Sequence, residues 1–231
     1  MKAPSEILDL LEPIVSIYFY QIPNKHRAVL ILSDNLAEIS CKFKLREINP
    51  SEDIKKIDFP VLLSKVKVPT KLSKKLKKYH EIRNEFQHKS PMYTVEEKSS
   101  ADSVFVTIDL IKFLWKKDAL KEIPDWVSCG LRIMRLFSSS GNLQRRNSLE
   151  SWVMNNTDLY IDYDSVETNI LIKEDGTFIK GDLTGGRTER TLPKKNEAII
   201  PVCLPKYWTY LIQNHTTIVL QFLEDLSIEK I

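Results

Sequence analysis

The chain has 231 residues, 42% of them hydrophobic and 28% charged, with a net charge of +3. That is the composition of a globular protein with one large domain or two small ones. No uninterrupted apolar run reaches the roughly 18 residues needed to cross a bilayer, so no membrane partner is expected. The opening segment MKAPSEILDLLEP has acids and a proline where a signal peptide needs a basic start and an apolar core, so a cytoplasmic location is expected. Cys41, Cys129 and Cys203 are far apart and odd in number. They fit neither a disulfide framework nor a CxxC metal site and read as reduced, mostly buried thiols.

Residues 5–20 read as a helix, with Ile7, Leu11, Ile14 and Tyr18 at helical spacing and Pro13 as a kink or a late start. A long helix follows over residues 25–47, where Val29, Leu32, Leu36, Ile39 and Phe43 form a heptad-like seam suited to an antiparallel bundle. A short helix is allowed near Phe59 to Val66, bounded by Pro60 and Pro69. A third long helix spans residues 70–88 with Thr70 as its cap, and Ser90-Pro91 places His88 in its last turn. Residues 100–117 form the next helix, capped by Ser99 or Ser100 and buried along Ala101, Val104, Phe105, Ile108, Ile111 and Trp115.

The pattern changes after that. Residues 120–137 contain a helix, 138–142 a break and 143–155 a second short helix. The period then becomes two. Strands are expected at 159–163, 169–173, 178–180 and 198–204, with Glu174-Asp175-Gly176 as a β-hairpin turn. A final helix over 206–226 is open to a break at His215-Thr-Thr217. The fold class is therefore mainly α: a four-helix bundle over residues 1–118, then an α+β region with a hairpin over 119–231.

Charge is unevenly spread. Residues 65–90 hold nine Lys and Arg against Glu81 and Glu85, a local +7 that leaves −4 for the rest of the chain. Such a field favours a polyanion, nucleic acid being the common one; a solvated lysine face is the plainer reading of the run alone. The same helix places Leu72, Leu76, Tyr79, Ile82 and Phe86 on one face, and Arg83 projects into the middle of that stripe. A guanidinium there must find a partner or face a polar cleft. His80, Asn84 and His88 form a second row beside it.

His80-x-x-Arg83-Asn84-x-x-x-His88, closing the third helix of an expected bundle, resembles the signature of the HEPN superfamily: Arg, a polar residue, three further residues, then His. The resemblance covers residues 1–118. It implies a metal-independent endoribonuclease that cleaves RNA through its own 2′-hydroxyl and needs no cofactor. It further implies a homodimer whose two motifs face each other in a composite active site. Such nucleases are tied to toxin–antitoxin and antiviral-defence systems, so an antitoxin or sensor protein is an expected partner beside RNA.

Arg83, Asn84 and His88 are the catalytic candidates. His88 suits general acid or base work. Arg83 suits bidentate stabilisation of the phosphorane, and Asn84 suits orienting His88 or bonding a phosphate oxygen. His80 is an accessory, and Lys74, Lys75, Lys77 and Lys78 suit the RNA backbone. The competing expectation is a non-catalytic HEPN-like dimerisation or partner-binding protein, with Glu81 or Glu85 neutralising Arg83. The two differ in geometry. An enzyme requires Arg83 and His88 to line an open basic groove, whereas a structural arginine is closed off by a carboxylate. HEPN toxins paired with a nucleotidyltransferase antitoxin usually extend the motif to His-x-Tyr, whereas Lys89 and Ser90 follow His88 here.

Other patterns carry less. Asp158, Asp162 and Asp164 lack the glycine and closing glutamate of a calcium loop in register, and no metal site is expected. Gly181-Asp-Leu-Thr-Gly-Gly-Arg187 lacks the lysine and hydroxyl of a phosphate loop. His26 and His215 are isolated, and Arg145-Arg146 reads as a solvated pair or an extension of an RNA path.

Overall fold

The computed structural model describes residues 2–19, 23–54, 56–88, 94–116, 118–138, five short strands between 159 and 201, and 212–213 with 216–225. Side chains of residues 87, 88 and 137 and of the strands lie outside the description. The described protein is mainly helical. It divides into two compact units, residues 1–18 with 23–127, and residues 19–22 with 128–231.

The first unit begins with α1 (Ser5–Leu8) and α2 (Leu11–Phe19). The break between them follows from Pro13, which has no N–H to give the carbonyl of Asp9 and is tolerated only in a first turn. Ile7, Leu11, Ile14 and Tyr18 are all buried. Next come α3 (Lys25–Ile48), α4 (Phe59–Lys65), α5 (Thr70–His88) and α6 (Glu97–Trp115). α3 packs against α4, α5 and α6, and α5 packs against α4 and α6.

Val29 and Leu36 of the expected seam are buried, but the rest of the buried stripe of α3 differs from it. Leu30, Ser33, Ala37, Ser40 and Cys41 are buried, whereas Leu32, Ile39 and Phe43 are only half-buried. Small residues decide this, because they let the backbone of α6 approach closely. The Thr107 hydroxyl donates to the Ser33 carbonyl at 3.1 Å. His26 meets Ser100 at 3.0 Å, and Trp115 Nε1 donates to Glu47 at 3.0 Å. Start meets start and end meets end, so α3 and α6 run parallel. α3 and α5 run antiparallel, since Arg27 donates to the Phe86 carbonyl at 2.9 Å while Asp34 meets His80. α6 starts earlier than expected, with Glu96 at its cap position and no side-chain cap. Ser99 and Ser100 therefore lie inside the first turn, and the Ser100 hydroxyl donates to the Glu97 carbonyl.

A tight connection aims α5. At the end of α4, Val68 N–H donates to the Leu63 carbonyl and Lys67 N–H to that of Ser64. This is a Schellman closure whose left-handed residue is Lys67, at φ 58°. Pro69 follows, and its carbonyl accepts from Ser73 N–H in the first turn of α5. Thr70 is thus the first helical residue rather than the cap.

In the second unit, residues 128–138 continue α7 (Asp125–Ser138). β1 (Leu159–Asp162) pairs in parallel with β5 (Ala198–Pro201). β2 (Asn169–Ile172), β3 (Thr177–Gly181) and β4 (Arg187–Thr191) form an antiparallel set, registered Ile172 to Phe178 and Thr177 to Thr191. The expected turn at 174–176 and the expected helix at 143–155 lie outside the described residues. α8 (Thr216–Asp225) buries Val219, Phe222 and Leu223.

Candidate functional site

Arg83 enters the space between α5 and α3 and is held from three sides. Its Nη1 donates to Asn84 Oδ1 at 3.0 Å and its Nη2 to Asn35 Oδ1 at 3.2 Å. Its Nε lies 3.6 Å from Asp34 Oδ2, an ion pair without a hydrogen bond. Asp34 is buried at 4% exposure, so its charge depends on these partners. His80 supplies the other one, its Nδ1 lying 3.0 and 3.2 Å from the two carboxylate oxygens. A carboxylate only accepts, so Nδ1 carries a proton directed at Asp34. The Phe59 ring packs on the imidazole at 5.0 Å between centroids.

This cluster forms one wall of an open cleft of about 620 Å³. α5 contributes His80, Glu81, Arg83 and Asn84, α3 contributes Glu38 and Lys42, and residues 56–60 close the far side. The charges of the lining balance: Lys42, Lys56 and Arg83 stand against Glu38, Asp58 and Glu81. Lys42 and Glu38 are paired with each other. Asp58 occupies the cap position of α4 without capping it.

No protein-family model, curated protein or solved structure matches this chain.

The structure thus brings His80, Arg83 and Asn84 together and adds Asp34 and Asn35. Asn84 spends its oxygen on Arg83, which leaves its amide N–H groups as donors. α5 runs through His88, whose side chain lies outside the described residues. Helix geometry separates positions 83 and 88 by about 140° around the axis and about 7.5 Å along it, whereas 80 and 83 differ by about 60° and 4.5 Å. The carboxylate on Arg83 is Asp34 of α3, in place of the expected Glu81 or Glu85. A buried carboxylate thus holds Arg83, as expected of a structural arginine, yet Arg83 also lines a cleft that is open but charge-balanced rather than basic.

Lys74, Lys75, Lys77 and Lys78 are exposed, and none of them lines that cleft. Lys75 and Lys78 border a separate groove of about 340 Å³ with Tyr79, Asp102 and Asp109. Lys78 lies over the Tyr79 ring, 5.5 Å from its centroid. Burial, with the Asp102 charge adding, pushes the Tyr79 hydroxyl up to about 12. His26 meets the Ser100 hydroxyl at 3.0 Å and the Tyr18 ring edge-on at 5.6 Å. Among the described residues no group of three or more His, Cys, Asp or Glu is placed to hold a metal ion, and no helix is long and apolar enough to cross a membrane. His215, Cys203, Asp158, Asp164 and Arg145-Arg146 lie outside the described residues.

Asp34 and Asn35 are the residues that sequence reasoning missed, although a signal was present. Leu30, Asp34, Ala37 and Cys41 are spaced four, three and four apart, so Asp34 occupies a core position of its helix. An acid at such a position needs a cation.

Proposed function

We propose that the first unit is a HEPN-like four-helix bundle acting as an endoribonuclease, which cleaves RNA by attack of the 2′-hydroxyl on the adjacent phosphorus. The observation that carries this reading is the fixed Arg83 guanidinium on the wall of an open cleft, beside an imidazole and a free amide donor. Held in advance, it offers donors to a phosphate as charge builds there, without reorganising. His88 is proposed as a catalytic residue with Arg83 and Asn84. The four lysines of α5 are proposed to guide the RNA backbone, and a homodimer with a composite active site is the proposed assembly. A role as toxin or antiviral effector in the cytoplasm, restrained by an antitoxin or sensor protein, completes the reading. The second unit is proposed to be an α+β region with a β-hairpin joining β2 and β3.

The test is incubation of the purified protein with RNA in EDTA. Products ending in a 2′,3′-cyclic phosphate and a 5′-hydroxyl are expected, with activity lost in Arg83→Ala and His88→Ala while the dimer persists. Intact RNA, or cleavage indifferent to both substitutions, sinks the proposal.

A second reading is favoured by the Asp34–Arg83 pair and the balanced charge of the cleft: a non-catalytic HEPN-like dimerisation or partner-binding protein. In that case neither substitution at positions 83 and 88 has any activity to remove, and complex formation continues.

A further inference from the structure

We infer that His80, oriented by Asp34, is the general base of this cleft, an inference that rests on the ribonuclease reading above. Three observations converge on it. The Asp34 carboxylate is buried and lies 3.0 Å from His80 Nδ1, which fixes the proton there and leaves Nε2 as a base. The Phe59 ring, 5.0 Å away, limits rotation of the imidazole. His80 and Arg83 line the same cleft and share one carboxylate, so the base and the phosphate-binding guanidinium are held in a constant relationship.

The step is balanced as follows. Nε2 takes the proton of the ribose 2′-hydroxyl, and the 2′-oxygen forms a bond to phosphorus. The bond from phosphorus to the 5′-oxygen breaks, and that oxygen leaves as a hydroxyl with a proton from a general acid, the part that the ribonuclease reading leaves to His88. The imidazolium then releases its proton to solvent. Arg83 bonds the non-bridging oxygens as their charge rises. Asp34 touches no substrate atom and is a positioning residue. Its role is the one a buried carboxylate plays behind a catalytic histidine elsewhere, selecting tautomer and ring orientation.

The experiment combines cleavage with imidazole nitrogen NMR on the full chain. His80→Ala is expected to lose on the order of 10²–10⁴-fold in rate and to recover part of it with added imidazole, a response that a structural role does not produce. Asp34→Asn is expected to lose a similar factor while nitrogen shifts report the His80 proton moving from Nδ1 to Nε2, since the new amide donates to Nδ1. Wild-type cleavage that His80→Ala leaves unchanged overturns this inference alone. So does a folded His80→Ala that is inactive and does not respond to imidazole. An inactive wild-type protein overturns the ribonuclease reading together with it. Should His80→Ala not fold, the wild-type spectrum decides, and a proton on Nε2 refutes the assignment.

Discussion

Asp34 of α3 and Arg83 of α5 stand 3.6 Å apart, and the same carboxylate accepts a hydrogen bond from His80 Nδ1–H at 3.0 Å. One buried acid thus fixes two groups three residues apart on the facing helix, and it ties the register of α3 to that of α5. Buried ion pairs are poor sources of net stability, yet removing one partner strands the other charge. Asp34→Ala is therefore expected to destabilise the protein by about 3–5 kcal/mol, measured by denaturant unfolding. Replacing all three groups together, Asp34→Leu with His80→Phe and Arg83→Met, is expected to recover most of that loss. A triple variant as unstable as Asp34→Ala contradicts the stranded-charge account.

Arg83→Lys separates charge from geometry. An ammonium keeps the ion pair with Asp34 but cannot bond Asn35 and Asn84 while presenting a planar fork to phosphate. Activity is expected to fall by about 10²–10³-fold with a much smaller loss of stability than in Asp34→Ala. Equal losses in rate and folding would mean that Arg83 serves only the core.

The helices of the first unit were legible in the sequence because their boundaries rest on local chemistry. Pro13, Pro69 and the apolar period act within one or two turns. The face of α3 was less so. Its large residues suggest a seam through Leu32, Ile39 and Phe43, but Ser33, Ala37 and Ser40 set the close approach to α6, and small residues carry little hydrophobic signal. The motif on α5 was visible as a pattern, while its partners were not. Asp34 and Asn35 are about 50 residues from Arg83 in the chain, and only the antiparallel packing of α3 on α5 joins them. The lysine run was read correctly as exposed, but helix rotation sends it past the cleft rather than into it.

The lysines make a prediction of their own. Single-stranded RNA affinity falls with salt by about 0.7 log units per log unit for each phosphate neutralised. Changing Lys74, Lys75, Lys77 and Lys78 to Gln is expected to lower that slope by up to roughly 3, without altering cleavage at saturating RNA. Filter binding across a salt series measures it. An unchanged slope assigns the row to solvent.

Lys67 adopts a left-handed backbone at φ 58° where α4 closes and α5 begins. A side chain there costs about 1–2 kcal/mol that glycine does not, partly offset by the greater freedom of glycine in the unfolded chain. Lys67→Gly is expected to raise stability by about 0.5–1 kcal/mol, whereas Lys67→Val is expected to lower it and loosen the entry to α5. Thermal unfolding of the two variants side by side provides the check.

The cysteines link burial to pH. Burial pushes the Cys41 thiol up to about 12, with the Glu38 charge adding, and pushes Cys129 up to about 12 against the opposing effect of Arg132. At pH 8 the reactive thiolate is then about one part in 10⁴, so native protein is expected to leave both sites unmodified by iodoacetamide while unfolded protein is labelled at both. The consequence for stability has a definite sign. Unfolded thiols ionise from about pH 9 upward, whereas these stay protonated in the fold until about 12. The stability they confer is complete below pH 9 and drains away as pH rises toward 12. Tyr79 acts in the same direction from about 10 to about 12. The denaturation midpoint is therefore expected to fall across this alkaline window, and Cys41→Ala, whatever it does to the midpoint at neutral pH, is expected to flatten that fall. An equally steep alkaline loss in Cys41→Ala would show that the thiol ionises as readily folded as unfolded.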